Sequence, residues 1–448
     1  MIQILFVCIL FIAFVNLIIS DMDYFNPGVV FNVMFALFAL LCCIVDTITG
    51  LEINNVLTVT IIICGSIIFT LVNILSRKMI KRSITDENFT HVTINRFWLI
   101  GAIVIEIVIA FFMYKYINDF AFIYGVGGKF SEKLSFYDTI TKFNSEYKLR
   151  MPWYVSIGNL LGRSICYIAL YVAIRNYVAL KKMDLMYVGI VFIYFIASLM
   201  GGRTEALRII TAAIFIWYYF YKRKNGWRKG SVKIAIRMIV IAIFIVVGFS
   251  LMRGILGRTT YDPIKVVFGY IGAPLKNFDT FLSNPKKSIS GIWGAMTFAK
   301  FINWLGIKLG IHSWVYVSDQ PFLYFKEFRM GNVYTTYYNF YYDFGFFGCM
   351  VLICIIALYY CCTYRKLKAK CHKGKKIDFQ LIIYAYLFND LIMLPFSSRF
   401  YETIVNINFI RVVIILGGII YIINNFYSNE NGIYIKIPKM KKNESGGL

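Results

Sequence analysis

The sequence is poor in charge, and poorer still in acid. Only 16% of its 448 residues are Asp, Glu, Lys or Arg, where soluble domains carry roughly a quarter. Acidic residues number 23 against 47 basic ones. This scarcity, with 59% hydrophobic residues and a mean hydropathy of +0.67, excludes an ordinary soluble globular domain. Histidine is nearly missing: His91, His312 and His372 are too scattered to suggest a metal site. The 10 cysteines lie almost wholly in apolar runs or beside basic clusters, with none between residues 167 and 348. They offer neither a disulfide framework nor a CxxC metal pattern. The first apolar run lacks a basic leader and a small-residue cleavage site, so it reads as a retained span. No sequence repeat relates the two halves, and no pair of broken helices matches between them, which counts against a transporter built from inverted repeats.

What is present is one apolar run after another. At about 20 residues per crossing, the pattern predicts helices over 2–20, 28–46, 55–75, 97–117, 153–180, 184–200, 205–221, 232–252, 337–362, 379–396 and 404–424. The fold class expected is an all-α polytopic membrane protein of about eleven transmembrane helices with one large extracytoplasmic loop. Residues 1–252 would hold the N-terminal membrane helices and 253–336 the loop. Residues 337–424 would hold the C-terminal membrane helices, and 425–448 a basic cytoplasmic tail. Five basic clusters fall on one side of this count: Arg77 to Arg82, Lys181–Lys182, 222–229, 365–376 and 436–442. The positive-inside rule makes that side cytoplasmic, with the C-terminus inside. The net charge of +24 is then loop bias and contact with anionic lipid rather than affinity for nucleic acid.

The opposite face carries everything unusual. It receives the segment 118–152, the tight turn in "SLMGGRTEALRII" at 198–210, the long segment 253–336, and "PFSSRFYE" at 395–402. The long segment is aromatic and apolar throughout, so it should fold against the membrane face rather than form a linker. Its excess of Lys and Arg over Asp and Glu is not explained by the positive-inside rule, which long loops escape, and points to an anionic ligand.

Four constellations stand there, each with a plain structural reading beside the functional one. In the first, Gly201 and Gly202 free the backbone before Arg203, Thr204, Glu205 and Arg208. Free N–H groups and an arginine at a helix start make an anion site; alternatively Arg203 snorkels to the interface and pairs with Glu205. In the second, "LMRGILGRTTYDP", Arg253 and Arg258 would grip a phosphate or anchor to lipid headgroups. The third, "FGYIGAPLKNFD" at 268–279, reads either as part of a site with Tyr270 and Asp279 or as an interfacial turn with Asp279 as a buried cap. The fourth, "GNVYTTYYNFYYDFGFFG" at 331–348, suits sugar stacking or a membrane-interface belt. Its Asp343 lies inside an expected span and needs a partner. Arg399, Tyr401 and Glu402 form a smaller polar knot.

The order of "GGRTE", "GYIGAPLKNFD", "GAMTFAKFINWLG" and "NVYTTYYNFYYDFGFFG" resembles the bacterial oligosaccharide repeat-unit polymerases, the Wzy-type polymerases of O-antigen and capsular polysaccharide. The motif-bearing part is about residues 198–350. The resemblance implies a glycosyltransferase of the bacterial cytoplasmic membrane that polymerises undecaprenyl-diphosphate-linked oligosaccharide at the outer face, without cofactor or metal. A flippase and a chain-length regulator of the same pathway are the partners it implies, besides membrane lipid. Catalytic candidates are Arg203, Glu205, Arg253, Arg258, Asp279 and Asp343. Arg399, Tyr270, Asn332, Tyr334, Tyr338 and Tyr341 are candidates for substrate binding. Glu205, Asp279, His312 and Asp343 all remain open as the general base; no histidine falls within the motifs, so the resemblance implies no histidine base. An O-antigen ligase-like transferase would share the donor. A lipid-linked oligosaccharide flippase should instead bury charges deep in several spans, whereas here charge is expected to collect on one face.

Overall fold

In lipid every backbone N–H and C=O must find a partner within the chain, so long apolar runs become helices. Short polar residues mark where several of them begin. Asn26, Asn55, Asn95, Asp184 and Asp378 each accept a hydrogen bond from a backbone N–H two residues on, the standard way to satisfy an orphan donor of a first turn. The computed structural model describes residues 1–50, 52–80, 90–143, 151–227, 236–237, 263–287, 289, 291–316, 320–325, 328–370, 376–429 and 432–435.

The helices are α1 (Ile2–Ile19), α2 (Pro27–Thr49), α3 (Val56–Met79), α4 (Arg96–Ile123), α5 (Phe130–Phe143), α6 (Trp153–Leu180), α7 (Leu185–Leu199) and α8 (Arg203–Asn225). After the next stretch come α9 (Pro263–Ser283), α10 (Ala299–Leu309), α11 (Thr336–Ala369), α12 (Phe379–Ile392), the short α13 (Arg399–Ile404) and α14 (Ile407–Asn425). Among the described residues, strand is confined to two antiparallel ribbons, β1 (Leu323–Phe325) with β2 (Phe328–Gly331) and β3 (Phe426–Asn429) with β4 (Gly432–Ile435). Among the described residues, 7 helices are long and apolar enough to cross a membrane, namely α1, α2, α3, α4, α6, α11 and α14; α7 and α12 are apolar but shorter. The chain is an all-α multi-pass membrane protein. Each expected span coincides with a helix except 232–252, which lies outside the described residues but for Ile236 and Arg237.

Contacts between helix ends sort the bundle into two ends. At the basic end, Arg77 of α3 pairs with Asp21 after α1 at 2.8 Å. Asp23 accepts from the hydroxyls of Tyr218 on α8 and Tyr364 on α11, and from Lys368 at 2.8 Å. Lys368 also sits over the Trp227 ring, 4.5 Å from its centroid. At the far end, Thr336 N–H donates to the Leu394 carbonyl, and Lys300 faces Glu402 at 3.4 Å. Within 263–336, α9 packs on α2, while the β1–β2 ribbon packs on α9.

Asp23 gives the bundle a measurable acid limit. Its burial would raise the carboxyl, but Lys368, Tyr364 and Lys222 outweigh that and hold it below the ordinary 3.8. A depressed folded value stabilises the native state above the unfolded one and loses that contribution as pH falls through the folded value. We predict that the thermal midpoint in detergent drops as pH falls below about 4. An Asp23→Asn protein, less stable at neutral pH, should lack this part of the decline.

Candidate functional site

Gly202, with φ 114° and ψ 165°, turns the chain sharply from α7 into α8, a backbone conformation that only glycine takes freely. The turn delivers Glu205 in the first turn of α8 and Arg208 one turn below, on the same face. Three other helices meet that face. α6 brings Arg163, α7 brings Tyr194, and α12 brings Tyr386 and Asp390, four residues apart and so on one side of the helix.

The result is a buried ion network. Arg208 Nη2 stands 2.7 Å from Asp390 Oδ1, and its Nη1 donates to the Tyr386 hydroxyl at 2.9 Å. The same guanidinium lies 3.5 Å from Glu205 and 4.6 Å from the centroid of the Tyr386 ring. Thr403 of α13 accepts from it at 3.3 Å. Arg163 Nε is 3.0 Å from the other Glu205 oxygen in an ion pair, while its N–H is directed to the Tyr194 hydroxyl at 3.3 Å. Arg163 Nη1 reaches Tyr386 at 3.4 Å. Two guanidinium groups thus meet two carboxylates, and Tyr386 touches both cations. Asp390 is 0% exposed, Arg208 9%, Glu205 11% and Arg163 22%. Arg163 is the least buried member of the network.

The network is not saturated. Arg208 Nε and Asp390 Oδ2 are buried without a hydrogen-bond partner, and such atoms in a native core call for an explanation. Desolvating such groups is costly unless their geometry is fixed, and here four helices fix it.

The structure distributes the sequence candidates unevenly. Glu205 enters the network. Arg253 and Arg258 lie outside the described residues, as do the side chains of Arg203 and Tyr270. Asp279 is structural. It accepts from the Asn54 and Asn55 N–H groups at 3.3 and 3.1 Å and from Thr58 at 2.8 Å. Lys276 completes its shell at 3.4 Å. The stretch 268–279 is helix within α9 rather than the expected interfacial turn, and Asp279 is a cap that joins α9 to the start of α3. Asp343 likewise receives the Met296 and Thr297 N–H groups, at 3.1 and 2.7 Å, and so fixes the chain before α10. Neither carboxylate faces the Arg208 network. Beside Asp343, burial raises the Tyr316 phenol to about 12, with the Asp343 charge adding to it.

Removing the Asp279 carboxylate should therefore cost stability rather than chemistry. Hydrogen bonds to a charged acceptor are worth about 1.5–3 kcal/mol, so Asp279→Ala is expected to lower the unfolding free energy by about that amount. Thermal unfolding in detergent measures it. A catalytic base at this position would instead lose product at unchanged stability.

The aromatic motif is core, not platform. Tyr334 donates to the Pro321 carbonyl at 2.9 Å and is packed on Tyr338, with ring centroids 4.3 Å apart. Tyr338 also meets Phe281 edge-on at 4.6 Å, and both tyrosines are buried. Neither has a ring face free for a sugar. Asn332 and Tyr341 remain half-exposed beside them. Arg399, at the start of α13, pairs with Glu402 at 3.6 Å and shares it with Lys300, which leaves one cation in excess at this rim. His312 sits apart in a short 3₁₀ turn.

Arg163, Asp390 and Tyr386 were not among the sequence candidates. The signal of Arg163 and Asp390 is present in "LGRSIC" and "FNDLIM", where a charge interrupts an apolar run; such residues face the bundle interior and carry function by default. With Glu106 in "VIEIVI", they also correct the expectation that charge collects on one face: several helices carry an ionisable group inside. Among the described residues, no three His, Cys, Asp or Glu side chains gather to hold a metal ion. Compared with known protein families, with curated proteins and with solved structures, the chain matches none.

Proposed function

We propose that this chain is a membrane glycosyltransferase that polymerises oligosaccharide repeat units carried on a lipid diphosphate, undecaprenyl diphosphate in a bacterium. In this reading the eleven-span topology holds, the basic end is cytoplasmic, and the far end faces outward. The observation that carries it is the guanidinium pair Arg163 and Arg208, fixed by Glu205 and Asp390 beneath the Gly201–Gly202 turn. In the reaction, a glycosidic bond forms between the anomeric carbon of the growing chain and a hydroxyl of the next repeat. The bond from that carbon to the diphosphate oxygen breaks, and lipid diphosphate leaves with the electron pair. Fixed cations in a desolvated site stabilise the charge as it develops there, and arginine matches phosphate geometry. Arg163, the least buried member, contacts the diphosphate, and Arg203, Arg253, Arg258 and Arg399 remain further candidates to bind it. The hydroxyl proton passes to a base, for which Glu205 is placed best once diphosphate competes for Arg163.

A second reading has its own observation. Glu106, Arg163, Arg208 and Asp390 all lie within helices, as in proteins that translocate a charged or lipid-linked substrate. The envelope glycan profile of a deletion strain, complemented with wild type or Arg163→Ala, separates the two. The polymerase reading expects outward-facing single repeats on the lipid carrier in the deletion and in the variant. Repeats held at the cytoplasmic face would identify a flippase. Long chains left on the carrier would identify a ligase-like transferase.

A further inference from the structure

Glu106 is the one charged residue between Arg96 and Lys115 on α4, and its side chain is 0% exposed. It presses on Gly162 of α6: a Cβ there would stand 2.7 Å from Glu106 Oε2, 3.1 Å from Ile109 and 3.2 Å from the Tyr194 ring. A side chain there would force the carboxyl to shift. Neither carboxyl oxygen has a hydrogen-bond partner. The groups around it are few. α6 contributes Cys166, with Arg163 the next residue along from Gly162, and α7 contributes Tyr194. α5, the other helix packed on α4, meets it nearer the far end through Tyr137 on Tyr116. Arg163 is committed elsewhere, to Glu205 and the Tyr194 hydroxyl. Gly162 meets Glu106 and the adjacent Arg163 pairs with Glu205, so the two carboxyls flank the same turn of α6, and only one of them has the cation.

A carboxylate buried among apolar groups, with no donor and no counter-ion, does not keep its charge. We propose that Glu106 is a proton-binding site inside the membrane, which holds one proton as the neutral acid at neutral pH and is coupled to the Arg163–Glu205 pair across Gly162 and Tyr194. The step is simple: the carboxylate binds one proton, with nothing oxidised or reduced. When the proton leaves, the bare carboxylate and Glu205 compete for Arg163. The state of Glu106 therefore sets how firmly Arg163 is held.

Infrared difference spectroscopy on the detergent-purified full chain tests this. Wild type minus Glu106→Gln, near neutral pH, should show the carbonyl stretch of one protonated carboxylic acid, shifted in heavy water, with no matching carboxylate band. A difference in carboxylate bands alone would overturn the proposal. If Glu106→Gln does not accumulate, the band is sought in wild type, where isotopic labelling of glutamate should shift it; its absence overturns the proposal equally. Coupling has a separate readout. Raising the pH until the acid band disappears should also perturb the Arg163 guanidinium bands in wild type and leave them unchanged in Glu106→Gln. Identical guanidinium behaviour in both proteins would sink the coupling.

Discussion

Arg208→Ala should destabilise the folded bundle by about 3–5 kcal/mol, because it strands a buried carboxylate. Asp390, fully buried, loses its ion-pair partner, and Glu205 keeps only Arg163. Tyr386 loses both a hydrogen bond and the cation above its ring. Thermal unfolding in detergent, or the fraction of protein that stays monodisperse, measures the loss. A double change separates charge from packing. Replacing a buried pair with apolar residues of similar volume is often neutral or better, so Arg208→Met with Asp390→Leu should recover most of the stability. Failure to recover would mean that Arg208 holds the bundle through some other contact than Asp390.

Arg163→Ala should behave in the opposite way. Glu205 retains Arg208 at 3.5 Å, so no carboxylate is left without a cation, and the stability loss should be smaller than for Arg208→Ala. The expected loss is in rate. Removing one preorganised charge from the site of developing negative charge costs about 10²–10³-fold in turnover. Quantifying polymer formed per unit of folded protein checks it. Lysine at the same position keeps the charge but not the planar fork, and should restore only part of the rate. A variant that loses stability and rate together would place Arg163 among the structural residues.

Much of the architecture was legible in the residues. The apolar runs 55–75 and 184–200 coincide with α3 and α7, whose starts are capped by Asn55 and Asp184. The sequence reading pairs Glu205 with Arg203, whereas the structure pairs it with Arg208, three residues on along the same helix. The rest of the site depends on which faces of distant helices meet. Arg208 and Asp390 are 182 residues apart, and no periodicity within α8 or α12 reveals that contact. Tyrosine density had two readings because the same side chain suits an interface and a core. The Pro321 carbonyl and the ring of Phe281 decide for the core at Tyr334 and Tyr338. Glu106 was visible as an interruption in an apolar run, but its isolation shows only once Gly162 and Tyr194 are in place.

The most direct measurement of the central claim uses the full-length protein, purified and returned to lipid vesicles with a lipid-diphosphate-linked oligosaccharide as sole substrate. The predicted result is a ladder of products differing by one repeat, with one lipid diphosphate released per bond formed, and no ladder with Arg163→Ala. Movement of the intact lipid-linked oligosaccharide across the vesicle membrane, with no new glycosidic bond, would contradict it.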